Sequence, residues 1–116
     1  MSTVLDATAL TWQVACPLDR ILPDSGVAAR IAGRPVAVFR LRDGRVVAID
    51  HTDPFTGVAV LARGLVGDHD GVPTVASPLH KQRFSLLDGR CLDDDAVAVS
   101  THPTRVVDGH VLVAVA

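Results

Sequence analysis

Glutamate is absent from this sequence: all thirteen acidic residues are aspartate, and ten of the eleven basic residues are arginine, with Lys81 the single lysine. Without glutamate the chain loses a good helix former and gains a residue that suits turns and caps. Apolar residues make up 48% of the chain, yet no continuous run approaches the roughly 18 to 20 residues that cross a bilayer as a helix. A soluble protein is expected. Met1 to Leu10 has neither a positive charge nor a sustained apolar stretch, so it reads as a short tail and not a secretory signal, and cytoplasmic residence is expected. The two cysteines, Cys16 and Cys91, are expected as free thiols in a reducing compartment. The net charge of −2, with no basic stripe, gives no footprint for nucleic acid or an anionic membrane.

Turn chemistry is abundant. Four Asp-Gly pairs (Asp43-Gly44, Asp70-Gly71, Asp88-Gly89 and Asp108-Gly109) lie between apolar or β-branched segments, the strongest short-range hairpin signal in a sequence. Ala32-Gly33-Arg34 is a weaker fifth turn. Between them the sequence predicts strands over Thr11–Cys16, Val27–Ile31, Pro35–Leu41, Arg45–Asp50, Val72–Ala76, Arg83–Leu86, Thr104–Val107 and His110–Val115. Short strands at this spacing point to an all-β antiparallel sandwich or small barrel. Pro35–Leu41 is apolar on both faces, which fits a strand covered on each side. Phe39, with Val47 or Ile49, is expected in the core. Pro17–Leu22 is expected to make one helical turn before Pro23. No linker, repeat or low-complexity stretch divides the chain, so residues 11–116 read as one domain after a tail over 1–10.

Two loops carry what chemistry the sequence offers, Asp53-Pro54-Phe55-Thr56-Gly57 and Ser77-Pro78-Leu79-His80-Lys81. Taken singly, their residues have modest readings. Asp53 before proline initiates a turn and Ser77 caps its loop; Phe55, one of three phenylalanines, is as well placed to plug the core as to meet a partner; His80 reads as a hydrogen-bonded loop residue. The other histidines lack His-x-x-x-His spacing, leaving His51, Asp53 and His80 as the nearest set for a metal. Asp93-Asp94-Asp95 lacks the alternating ligands and glycine of a calcium loop and reads as a solvated turn. Neither cysteine has an adjacent base, and no phosphate loop, Ser-His-Asp pattern or carboxylate pair is present, so the chain does not read as an enzyme by itself.

The loops also resemble those of Rieske iron-sulfur domains, Cys-Pro-His-x-Gly and Cys-Pro-x-His-Gly. On that comparison the family's ligand positions fall on Asp53, Phe55, Ser77 and His80, and only His80 keeps a ligand. With Arg63-Gly64-Leu65-Val66-Gly67-Asp68, Ser77-Pro78-Leu79-His80-Lys81-Gln82-Arg83-Phe84 and Gly89-Arg90-Cys91-Leu92-Asp93-Asp94, the chain resembles the small subunits of assimilatory NAD(P)H-dependent nitrite reductases, Rieske-like domains without the cluster ligands. The resemblance implies an all-β Rieske-like fold with a degenerate cluster-binding subdomain and no cofactor in this chain. It also implies a large-subunit partner that carries FAD, an iron-sulfur cluster and sirohaem and reduces nitrite to ammonia. Phe55, Leu79, His80, Lys81 and Arg83 are then the expected docking residues. Two other readings stand beside it: an electron carrier with an atypical cluster held by Cys16 or Cys91 with His80, and a free-standing domain that binds a small ligand or metal at the emptied tip.

Overall fold

A computed structural model describes residues 10–115, and within them ten strands form three antiparallel sheets. In chain order the strands are β1 (Thr11–Pro17), β2 (Ser25–Ile31), β3 (Arg34–Arg40), β4 (Val46–Asp50) and β5 (Leu65–His69), then β6 (Val72–Ala76), β7 (Arg83–Ser85), β8 (Thr101–His102), β9 (Thr104–Val107) and β10 (His110–Val115). The sheets run β1-β10-β9, β2-β3-β4-β8 and β5-β6-β7, and none closes into a barrel.

Three hairpins, β2–β3, β5–β6 and β9–β10, close on two residues: Ala32-Gly33, Asp70-Gly71 and Asp108-Gly109. Both central residues have positive φ in each (50° and 82°, 52° and 86°, 51° and 76°), as a type I′ turn requires. The weakest turn signal therefore folds like the strongest. Ala32 is strained by it, because a non-glycine residue in this region costs about 1–2 kcal/mol unless its side chain can bond locally. Ala32→Asn, at an exposed position, is expected to stabilise the fold by roughly 0.5–1 kcal/mol, which a thermal melt would read as a gain of about 2–6 °C.

The middle sheet is covered on both sides, and β3 shows why the expected double burial occurs. Val36 and Val38 enter a cluster with Ile21, Ile31, Val111 and Val113, while Ala37 and Phe39 enter a second with Ile49, Leu61, Val75 and Phe84. Successive side chains of a strand point to opposite faces, so one short segment supplies two cores. Of the expected core pair beside Phe39, Ile49 is fully buried and Val47 packs against the cluster from a half-buried position. Each large side chain so buried contributes about 1.5–3 kcal/mol.

Some sequence expectations need correction. The single helical turn expected over Pro17–Leu22 is present but shorter, a three-residue 3-10 turn over Leu18–Arg20 that ends at extended Ile21. Strands β5 and β8 were not expected. Cys16 and Cys91 are both free, and they pack against different clusters.

Candidate functional site

The two loops follow β4 and β6. The first is closed by an antiparallel bridge between Thr52 and Ala59, by the Asp53 N–H donating to the Val58 carbonyl at 2.8 Å, and by the Gly57 N–H donating to the Asp53 carbonyl at 2.7 Å. Asp53 Oδ1 also accepts the Phe55 N–H at 2.8 Å. The second loop repeats this plan around a serine. The Lys81 N–H donates to the Ser77 carbonyl at 2.9 Å, the Ser77 N–H donates to the Gln82 carbonyl at 2.9 Å, and Ser77 Oγ accepts the Leu79 N–H at 3.3 Å. In both loops a side-chain oxygen takes the N–H two residues on, which fixes the proline-containing turn.

One bond joins the loops. Ser77 Oγ donates to Asp53 Oδ2 at 2.5 Å, and the two residues are 1% and 0% exposed. Each side chain therefore binds its own loop and the opposite one, Ser77 through its single hydroxyl and Asp53 through its two carboxylate oxygens. Beside this pair, the half-buried Phe55 packs against the core with its ring 6.2 Å from that of buried Phe84. Phe55 thus sits on the core from the loop side, the plug position that its residue type allowed.

The remaining loop residues divide by exposure. Leu79, His80 and Lys81 face solvent, and Lys81 adopts φ 64°. Arg83 is engaged instead: its Nη2 donates to Asp93 Oδ1 at 2.9 Å, and its backbone N–H donates to Asp93 Oδ2 at 2.8 Å. The Arg83 guanidinium beside Asp93 holds that carboxyl below its ordinary range, and the carboxylate in turn raises Arg83. Asp93 is thus an anchor for the exit of the second loop and not merely part of a solvated turn.

The possible ligand sets are not assembled. His51 is buried beneath the first loop, its Nδ1 accepts the Ala62 N–H at 3.1 Å, and burial, with Arg63 nearby, lowers its pKa. An acceptor Nδ1 on a buried ring fits neutral imidazole. Asp53 is held by Ser77, and His80 is exposed. Among the described residues no three His, Cys, Asp or Glu side chains converge as a metal site, which separates His51, Asp53 and His80. Cys91 lies in one core and Cys16 against the other, so neither joins exposed His80 in an atypical cluster site. Sequence reasoning also missed a part-buried pair: His102 Nε2 lies 2.8 Å from Asp50 Oδ1, where β8 meets β4.

Residues 11–114 match the family of the Rieske-like [2Fe-2S] domain. The nitrite reductase (NADH) small subunit of Salmonella typhimurium is 48% identical over 99 residues, which covers 84% of this chain and 92% of that protein. The chain belongs to the Rieske-like family of nitrite reductase small subunits. The crystal structure of a candidate NADH-dependent nitrite reductase small subunit from Mycobacterium tuberculosis superposes with a TM-score of 0.89 at 46% identity, covering 92% of this chain and 96% of that one. A segment of the nitrite reductase [NAD(P)H] large subunit of Klebsiella oxytoca is also 45% identical over 102 residues, 88% of this chain and 11% of that protein.

The cluster implied by the wider Rieske family does not fit the residues of this small-subunit relative. Such a cluster takes two thiolates on one iron and two imidazoles on the other. On the loop resemblance described above, the thiolate positions would fall on Asp53 and Ser77, which are bonded to each other. On the same resemblance one imidazole position would fall on Phe55, which has no donor atom, and only His80 would supply an imidazole.

Proposed function

We propose that this chain is a non-catalytic subunit that docks on the large subunit of an assimilatory NAD(P)H-dependent nitrite reductase through its two former cluster loops. The flavin, iron-sulfur cluster and sirohaem then belong to the large subunit, and the complex works in the cytoplasm. The observation that carries this reading is the buried Asp53–Ser77 bond: where a Rieske domain would hold metal, these residues lock the two loops together and leave Leu79, His80 and Lys81 facing outward. A rigid end with an exposed aliphatic and a cation suits a partner surface, because pre-organised loops lose little entropy on binding. The Klebsiella oxytoca large subunit supports the pairing, since the segment resembling this chain is part of that protein's own polypeptide.

Co-elution with the large subunit on a sizing column, together with nitrite-dependent NAD(P)H oxidation measured with and without this chain, tests the reading. Co-elution and a higher rate are expected; separate elution with an unchanged rate would refute it. Leu79→Asp is the sharper probe. Leu79 is 45% exposed, so the variant should melt within about 0.5 kcal/mol of the parent yet bind the large subunit at least roughly tenfold more weakly. Phe55→Asp would report folding as well as docking, because its ring packs on the core.

A further inference from the structure

The cations of this protein are unevenly engaged. Arg34, Arg42, Arg45, Arg83 and Arg90 each pair with an aspartate. Arg30 and Arg40 donate to the Gly33 and Ile21 carbonyls, and Arg105 lies 4.0 Å over the Trp12 ring. Among the described residues this leaves Arg20, Arg63 and Lys81 without such a partner. Two of those three flank the paired loops. Lys81 is in the second loop, and Arg63 ends the 3-10 turn (Leu61–Arg63) that follows the first. Arg63 is held beside the second loop by its neighbour, since Gly64 lies so close to the Ala76 carbonyl that any Cβ there would collide with it.

Acidic side chains are scarce within the loop segments themselves. Across residues 51–63 and 77–83 the one acidic side chain is Asp53, which is fully buried. Asp93, which faces Arg83 from outside these segments, is taken up by that ion pair, and exposed Asp94 and Asp95 follow it on the turn beyond the second loop. The loops therefore present positive charge on a chain whose net charge is −2, while exposed Val58 and Leu79 supply one apolar side chain from each loop.

Building on the docking function proposed above, we infer that the tip recognises an acidic patch with an apolar centre on the large subunit. Arg63 and Lys81 are its charged contacts, and Val58 and Leu79 are its apolar ones. The layout favours a protein surface over a small anion, because the cations belong to separate segments of the chain and each loop adds an exposed aliphatic side chain. Two cations are also few for a nucleic acid, whose binding grows with the number of phosphates neutralised. Complementary charge acts mainly on encounter, so its signature is an association rate that falls with salt.

The test measures association of the full chain with immobilised large subunit at low and high ionic strength, for the parent, Leu79→Asp, Arg63→Glu/Lys81→Glu and Arg20→Glu. The parent's association rate should fall roughly tenfold or more with added salt. The double reversal should remove most of that dependence and slow association by a similar factor at low salt, while Arg20→Glu, at an exposed cation outside the tip, behaves as the parent. Circular dichroism melts establish that each variant is folded. If the parent's binding ignores salt and the double reversal while Leu79→Asp still abolishes it, the tip docks but the acidic partner patch is refuted. If the parent does not bind at all, the docking function falls and this inference with it. Retention on duplex DNA that the double reversal abolishes, with large-subunit binding unaffected, would assign the cations to nucleic acid and overturn the proposal.

Discussion

Asp53→Ala is expected to destabilise the fold by roughly 2–4 kcal/mol. The substitution strands two donors at once, the Ser77 hydroxyl and the Phe55 N–H that Asp53 accepts at 2.5 and 2.8 Å, and each buried group left unpaired costs about 1–3 kcal/mol. Ser77→Ala should cost a comparable amount for the converse reason, since it leaves Asp53 Oδ2 buried without its hydroxyl. A urea-unfolding double-mutant cycle resolves the pair: a coupling of about 1–3 kcal/mol is expected between residues that share a buried bond. Additive losses would mean that the two loops are not joined through these side chains. Asp53→Asn, which keeps an acceptor oxygen, should lose less than Asp53→Ala.

Gly89→Ala should be at least as damaging, about 3 kcal/mol or more, for a backbone reason. Gly89 holds φ 80°, and a Cβ there would overlap the Val99 carbonyl oxygen. The clash falls on backbone, not on a side chain that can swing away. It lies where the Val99 N–H donates to the Gly89 carbonyl at 2.9 Å and where the Cys91 N–H donates to the Val97 carbonyl at 3.0 Å. Relief must therefore move the segment that covers Cys91 and Val99, both part of the core around Phe84. Gly71→Ala is the control. Its φ of 86° carries a similar conformational penalty, but the surrounding space is open, so a loss of only about 1–2 kcal/mol is expected. Equal losses at both positions, read from unfolding midpoints, would show that the Val99 contact contributes nothing beyond the dihedral.

Local features of the fold were legible where turn chemistry and alternation coincide. Asp70-Gly71 and Asp108-Gly109 predict tight hairpins because both central positions tolerate the left-handed region, and both form them. Asp43-Gly44 and Asp88-Gly89 close longer turns in which only the glycine has positive φ, a difference that the dipeptide itself cannot carry. Strand β5 escaped because Leu65 is 79% exposed while neighbouring Val66 packs on the core, and Gly67 interrupts any apolar pattern. At the loops, the motif located Asp53, Phe55, Ser77 and His80 but not their contacts. Asp53 and Ser77 are 24 residues apart in sequence, and Arg83 and Asp93 ten. The first pair meets only because two sheets pack with their loops together, and the second because the chain returns to β7 through the Phe84–Cys91 bridge, so a composition or spacing argument has no access to them.

The pairing of β1 with β10, from Thr11 opposite Val115 to Pro17 opposite His110, also sets an order of events in time. The three two-residue hairpins bring neighbouring segments together, and isolated hairpins form in about 1–10 μs. The β1–β10 seam instead joins segments from opposite ends of the domain and must bear the closure entropy of nearly all the chain between them. Topologies dominated by such distant pairs complete folding in about milliseconds to seconds. Because β10 is the central strand of its sheet, β1 has no sheet partner on a ribosome until the last strand has been made. The β2–β3 and β5–β6 hairpins can form during synthesis, but the β9–β10 hairpin and the seam that completes the domain both wait for β10.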